Sequence, residues 1–312
     1  PRREVSNDEL TAFLDTSDEW ISTRTGIKSR RVITDETLLL LGARAARAAL
    51  ADAGVAVGEI DFLLCSTVQG DTITPSLGCT LQGELGATCP AVDLNGACAG
   101  FLYALDVADA YIAAGKARTI LIVCAEALSR MADWQDRATC VLFGDGAGAA
   151  VVGEGEGLLA TRLTSEGNLS VLNMWPEPGN SPFATTSHPF QPLYMAGSDV
   201  YKFAVSHSVE DLKEVARRAG LLIDQIDYFL LHQANMRILE GARARLHQGA
   251  EKFLHNIEGR GNTSSASVPI LLDEMNRAGR FKAGDLIAMS AFGAGLTTGA
   301  CVLKWTKGET GA

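Results

Sequence analysis

Cys98 follows an apolar, strand-like Ala91-Val92-Asp93-Leu94 and a tight Asn95-Gly96-Ala97 turn, then leads into a stretch with helical spacing. A thiol in that setting lies at the positive end of a helix, which favours the thiolate, so a lowered pKa is expected. The small neighbours Ala97, Ala99 and Gly100 let a carbonyl carbon approach the sulfur and leave a backbone N–H open to a developing oxyanion. A cysteine among apolar residues ordinarily packs as a small hydrophobe; the turn-then-helix placement is what admits a nucleophile. His232 closes the apolar run Tyr228–Leu231 in Leu-His-Gln-Ala-Asn. Strand ends of α/β sheets open onto sites, so His232 is a candidate base and hydrogen-bond donor, with a satisfied structural histidine as the bland alternative. Asn262, in Gly-Asn-Thr-Ser-Ser-Ala-Ser, reads as a helix cap or as an active amide. His188, His207, His247 and His255 lie in polar or loop-like surroundings and read as surface.

An internal repeat links the three candidates. Gly115, in Ala-Gly-Lys, stands as far beyond Cys98 as Gly279, in Ala-Gly-Arg, stands beyond Asn262. Upstream, Ala53-Gly54 precedes Ile60-Asp61-Phe62 by the spacing that separates Ala219-Gly220 from Ile226-Asp227-Tyr228. Self-similarity of this kind means a duplicated fold, here with halves 1–160 and 161–312. It registers Ser66 with His232 and Cys98 with Asn262, which points to one active site built from both halves.

The elements that must position these residues alternate. Helical spacing runs over Thr37–Ala53 to a stop at Gly54, a strand over Phe62–Thr67, a helix over Phe101–Ala114 and a continuous apolar strand over Thr119–Cys124. The second half repeats this order, with helix Val205–Ala219, strand Tyr228–Leu231, helix Ser267–Arg277 and strand Asp285–Ser290. The pattern predicts layered α/β. Between the halves, Val171–Leu193 holds Pro176, Pro178, Pro182, Pro189 and Pro192 of the nine prolines, which argues against regular structure and for a site wall or a surface crossover. Phe143-Gly-Asp-Gly-Ala-Gly and Phe292-Gly-Ala-Gly fit no phosphate-cradling pattern and read as tight hairpins; the amides of the second could also serve an oxyanion.

Composition narrows the function. A hydrophobic content of 47% is ample for a packed core, and a net charge of −10 argues against a nucleic-acid binder. The longest uncharged apolar run, near Thr119–Ala125, is far short of the ~20 residues that span a bilayer, so no membrane partner is expected. Seven cysteines without CxxC or His-Cys metal spacing suit free thiols in a reducing compartment. Pro1 stands where an initiator Met would, and no signal-type apolar run follows, so a cytoplasmic home is expected.

Taken together, Asn95-Gly-Ala-Cys98-Ala-Gly-Phe, His232-Gln-Ala-Asn235, Gly261-Asn262-Thr-Ser-Ser-Ala-Ser-Val-Pro269 and Phe292-Gly-Ala-Gly295 resemble the β-ketoacyl-ACP synthase III family. The resemblance extends over nearly the whole chain, from Asp15-Thr-Ser-Asp-Glu-Trp20 to the last strand. It implies a thiolase-like αβαβα architecture with two pseudo-symmetric halves. It further implies decarboxylative condensation of an acyl-CoA primer with malonyl-ACP, which initiates fatty acid biosynthesis without a metal or cofactor. Cys98 would carry the acyl group; His232 and Asn262 would stabilise the enolate; the amides of Cys98 and Ala294 would hold the oxyanion. Trp20, Arg24, Arg137, Gly197, Asn235 and Phe292 would bind coenzyme A, with Trp20 and Arg137 sandwiching the adenine. Lys202, Arg237, Arg243 and Arg245 would dock the acyl carrier protein, and Thr74 would close the acyl pocket of a partner in a homodimer. Family members carry one more strand ahead of the region matching Pro1–Asn7, so the first half's sheet edge is where this chain is expected to differ. A starter-unit condensing enzyme or acyltransferase of specialised metabolism, and a Cys-His-Asn thioester hydrolase, are the alternatives.

Overall fold

The computed structural model describes residues 1–177, 181–183 and 189–308. Pro178 and His188 lie outside the described residues. The chain begins with a short ladder, β1 (Arg3–Ser6) against β2 (Ser29–Val32), around helices α1 (Asn7–Leu10) and α2 (Asp18–Thr25). The first half continues through α3 (Leu38–Ala53), β3 (Phe62–Ser66), α4 (Leu77–Leu85), β4 (Ala91–Leu94), α5 (Gly100–Ala113), β5 (Thr119–Ala127) and β6 (Asp145–Gly153). The second runs through β7 (Leu158–Ser165), β8 (Leu172–Trp175), β9 (Gln191–Met195), α6 (Gly197–Arg218), β10 (Tyr228–Leu231) and α7 (Met236–Leu246). It ends with β11 (Phe253–Leu254), α8 (Ile257–Arg260), α9 (Ser267–Arg277), β12 (Leu286–Gly293) and β13 (Thr297–Lys304).

Two mixed sheets result, ordered β4-β3-β5-β6 and β11-β10-β12-β13-β7. In each, the antiparallel member is the strand that follows the central one, so the duplication read from sequence is a duplication of topology. Helices α5 and α9 lie between the sheets, where Phe101, Leu102 and Leu105 meet Leu230, Leu271 and Met289 in one apolar cluster. Complete burial of a side chain such as Phe101 or Leu102 contributes roughly 1.5–3 kcal/mol, which anchors the helix that starts just beyond Cys98. Helices α3 and α4 cover the outer face of the first sheet through Leu38, Leu50 and Leu81, and α6 and α7 cover the second through Leu212, Val215 and Leu239. The layers are therefore αβαβα. Helix limits follow local chemistry: Thr37 caps α3 by accepting from the Leu40 N–H, and Gly54 ends it at φ 65°.

Several expectations are corrected. The proline-rich segment is partly regular, since β8 and β9 form an antiparallel ladder on either side of it. Phe143-Gly-Asp-Gly-Ala-Gly is not a hairpin but the lead-in and first residues of β6. Helix α6 begins at Gly197, eight residues before the expected Val205, because its polar first turns obscure the apolar period. The change of sheet falls at 154–157, just ahead of the 160/161 division, as β7 joins β13. The outer edge of β6 has no ladder partner among the described residues, whereas β13, its counterpart, carries β7.

The register of the repeat also shifts. Gly96 (φ −107°, ψ 21°) matches Thr263 (φ −101°, ψ 28°), and left-handed Ala97 (φ 47°) matches left-handed Ser264 (φ 51°). Cys98 is thus the counterpart of Ser265, not of Asn262. The sequence spacing misleads because α9 is shorter than α5, so the glycines beyond the helices are not equidistant from the turns before them.

Candidate active site

The ends of both central strands and both pre-helical turns open on one cavity of about 830 Å³. Cys98, His232 and Asn262 all line it, together with Ser264, Phe292, Gly293 and Ala294. The three residues grouped from the sequence therefore share one cavity, although they were grouped through a pairing the structure does not keep.

Cys98 sits in the one-turn helix Ala97–Ala99 ahead of α5 and is partly exposed. The expected depression of its pKa is overturned. Desolvation pushes the thiol up to about 12, the neighbouring Ser264 side chain opposes this, and the nearby Glu126 carboxylate adds to it. Apolar surroundings outweigh the helix terminus, so the resting sulfur is protonated. A Cβ on Gly293 would lie 2.6 Å from the Cys98 nitrogen, so only glycine lets the end of β12 pass over that N–H. Cys98 and Ala294 both line the cavity.

His232 is buried at the end of β10, where its own N–H donates to the Ser290 carbonyl. Its Nδ1 lies 2.7 Å from Ser267 Oγ, an oxygen that also accepts the Gln233 N–H at 3.4 Å. The buried Ser267 hydroxyl proton has no other acceptor among the described residues, so it goes to Nδ1, and Nε2 is left as an N–H donor. Burial alone pushes the imidazole down to about 3, so it is neutral near pH 7.

Asn262 is gripped on both sides by the segment before β6. Its N–H donates to the Leu142 carbonyl at 2.8 Å, and its carbonyl accepts the Gly144 N–H at 2.9 Å. Gly144 has no room for a side chain, because a Cβ would sit 2.4 Å from the Arg260 carbonyl. The Asn262 Oδ1 accepts the Ser264 N–H at 2.9 Å, which turns the amide NH₂ towards the cavity. The site thus offers one thiol and two neutral N–H donors, from His232 and Asn262. That set can form a thioester and then stabilise an enolate oxygen.

Trp20, Arg24, Gly197, Asn235 and Phe292 also line the cavity, Phe292 packed edge-on against His232. Arg24 and Arg137 both lie over the Trp20 ring, their guanidinium carbons 4.6 and 5.1 Å from its centre, so a flat ligand would displace a guanidinium it could then stack on. Arg137 is not among the lining residues and also bonds the Asp15 carbonyl. Of the four carrier-docking candidates only Arg237 reaches the cavity rim. Lys202 pairs with Asp199, Arg243 with Glu240, and Arg245 is exposed on α7. Thr74 is exposed and does not line the cavity of its own chain. An apolar wall of Leu128, Met131, Leu142, Met174, Leu193 and Met195 completes the cavity, with β8 and β9 supplying part of it. Sequence reasoning missed Ser264, Gly293 and Glu126. A lone acid closing a buried strand was the visible signal for the last.

The layered duplication and a Cys-His-Asn site at the junction of its halves define a thiolase-fold condensing enzyme. The pattern described as 3-Oxoacyl-[acyl-carrier-protein (ACP)] synthase III matches residues 92–167, and that of its C-terminal part matches residues 216–305. The β-ketoacyl-[acyl-carrier-protein] synthase III of Clostridium acetobutylicum is 42% identical across 98% of this chain and 96% of its own. The crystal structure of the 3-oxoacyl-[acyl-carrier-protein] synthase III from Aquifex aeolicus superposes with a TM-score of 0.91 at 41% identity, covering 98% of this chain and 96% of that one. The priming β-ketosynthase from the R1128 polyketide biosynthetic pathway gives the same TM-score at 38% identity, over 98% and 93% of the two chains. The chain belongs to the β-ketoacyl-ACP synthase III family, condensing acyltransferases of fatty acid initiation.

Proposed function

We propose that the chain condenses an acyl-CoA primer with malonyl-ACP in two half-reactions. Cys98 attacks the primer thioester, and the amides of Cys98 and Ala294 hold the oxyanion. Malonyl-ACP then loses CO₂ while His232 Nε2 and the Asn262 NH₂ donate to the thioester oxygen, and the resulting carbanion takes the acyl group from Cys98. The single observation that carries this reading is the meeting of one thiol and two neutral N–H donors in one cavity. The half spanning 1–160 supplies the nucleophile, and that spanning 161–312 the donor pair. Each step uses groups of the protein alone and calls for no cofactor or metal.

Trp20 and Arg137 clasp the adenine of coenzyme A, with Arg24 beside them; Gly197, Asn235 and Phe292 guide the pantetheine. Arg237, with Lys202, Arg243 and Arg245, receives the acidic carrier protein. The enzyme acts as a cytoplasmic homodimer joined through the first-half sheets, where Thr74 closes the partner's acyl pocket. No helix among the described residues is long and apolar enough to cross a membrane. The likeness to the R1128 priming enzyme supports a second reading, a starter-unit role in polyketide synthesis, with the same chemistry and a different carrier. Purified protein given acetyl-CoA and malonyl-ACP should release CO₂ and form a β-ketoacyl-ACP. Acetate and free coenzyme A without a β-ketoacyl product would instead mark a thioester hydrolase.

A further inference from the structure

Glu126 is wholly buried near the end of β5 and pairs with no cation among the described residues. Its Oε2 accepts the Val68 N–H at 3.0 Å, and its Oε1 accepts the hydroxyls of Ser265 at 2.6 Å and Ser264 at 3.1 Å. Ser264 also lies beside the Cys98 sulfur: both line the same cavity, and the hydroxyl is near enough to favour the thiolate. One hydroxyl therefore links the nucleophile to a carboxylate that no step above uses. His232 cannot serve the sulfur in its place, since burial holds its basicity far below that of an ordinary histidine.

We propose that Glu126, acting through Ser264, takes up the Cys98 proton as the sulfur attacks the primer and returns it to the departing coenzyme A sulfur. The Cys98 S–H bond breaks, its proton passes to Ser264 Oγ, and the hydroxyl proton of Ser264 passes to Glu126 Oε1. The sulfur electron pair forms the new C–S bond, and the bond to coenzyme A breaks with its pair on the leaving sulfur. That thiolate recovers the proton along the reverse path, so thiol and carboxylate balance at the end of acylation. Burial pushes the Glu126 carboxyl up to about 7, which brings its proton affinity closer to that of the thiol than an ordinary carboxylate's would be. The titratable groups that feel its charge are Cys65 on β3, Cys124 on its own strand and Cys98. Asp145, on the neighbouring β6, is engaged by Ser129 and the Ile33 N–H instead.

The relay rests on Cys98 being the nucleophile proposed above, and its test is chosen to stand apart from acyl transfer. The rate of Cys98 alkylation by iodoacetamide, mapped by mass spectrometry, is followed from pH 5.5 to 9 in wild type, Glu126→Gln and Ser264→Ala. Ser264→Ala should fold, because Ala97 already occupies the matching left-handed turn. Wild type should show an inflection at about 7, fast above it and slow below it as Glu126 fills with a proton. Both variants should lose the inflection, react at least about ten-fold more slowly at pH 8, and speed up steadily with pH as solvent takes over the proton. A Ser264→Ala profile that keeps the wild-type inflection, or Glu126→Gln within two-fold of wild type at pH 8, overturns the relay. A wild type that alkylates with the inflection yet is not acylated by acetyl-CoA upholds the relay and overturns the condensing reading.

Discussion

At the scale of single residues, the site depends on which groups stay neutral. In the proposed mechanism His232 and Asn262 act as donors in decarboxylation only, so His232→Ala or Asn262→Ala should leave Cys98 acylation largely in place. Decarboxylation of malonyl-ACP should fall by about 10²–10³, or roughly 3 kcal/mol, as for a lost oxyanion donor. Equal loss of both half-reactions would contradict these roles. The neutral imidazole also carries a pH signature. The folded histidine is pushed down to about 3 while the unfolded one titrates near 6.5, so its contribution to stability is intact above 6.5 and is lost as pH falls towards 3. Lowering the pH from 7.5 to 5 should therefore cost wild type about 2 kcal/mol more in urea unfolding than His232→Gln, and decarboxylation should show no step at 6.5. An equal pH dependence of stability in both proteins would refute the neutral assignment. Residue types made the donors legible in the sequence, but the raised thiol pKa was not legible, because desolvation depends on walls contributed by distant segments such as β9.

At the scale of elements, close backbone approaches hold the donors in place. A methyl at Gly293 would strike the Cys98 nitrogen, and one at Gly144 would strike the Arg260 carbonyl. Gly293→Ala should lower acylation of Cys98 most, whereas Gly144→Ala, which displaces Asn262, should lower decarboxylation most. Each should also cost roughly 1–3 kcal/mol in stability by overpacking. Paired half-reaction assays with denaturant unfolding check this, and identical profiles for the two variants would contradict it. Most elements were legible because apolar period and caps agree: Ser267–Arg277 and Tyr228–Leu231 fall where the pattern put them. The ladder of β8 with β9 was hidden by prolines, which sit mostly outside its paired positions. Glycine spacing hid the true partner of Cys98, since helices of unequal length preserve the turns and not the distances between them.

At the scale of the whole molecule, a dimer joined through the first-half sheets would cover β4, an open edge of its sheet, whereas β5 lies inside that sheet. Val92 on β4 is 44% exposed and Ile73, on the loop that carries Thr74, is 94% exposed, so this face has apolar surface to bury. Sedimentation should show a dimer, and Val92→Lys should weaken it; an active wild-type monomer would refute the arrangement. If Thr74 closes the partner's acyl pocket as proposed, its small side chain leaves room for further methylenes at about 0.8 kcal/mol each. Thr74→Phe should therefore shift rates towards acetyl-CoA, and an unchanged chain-length profile would remove Thr74 from the account. The duplicated layers were legible from the alternation of elements alone, while the cavity they enclose was not, since its lining comes from both halves. The most direct test of the central claim is to expose the protein to acetyl-CoA, measure intact mass and map the adduct among the seven cysteines. The account predicts one stable acetyl group per chain, on Cys98; no adduct, or an adduct on Cys65, Cys124 or any other thiol, would contradict it.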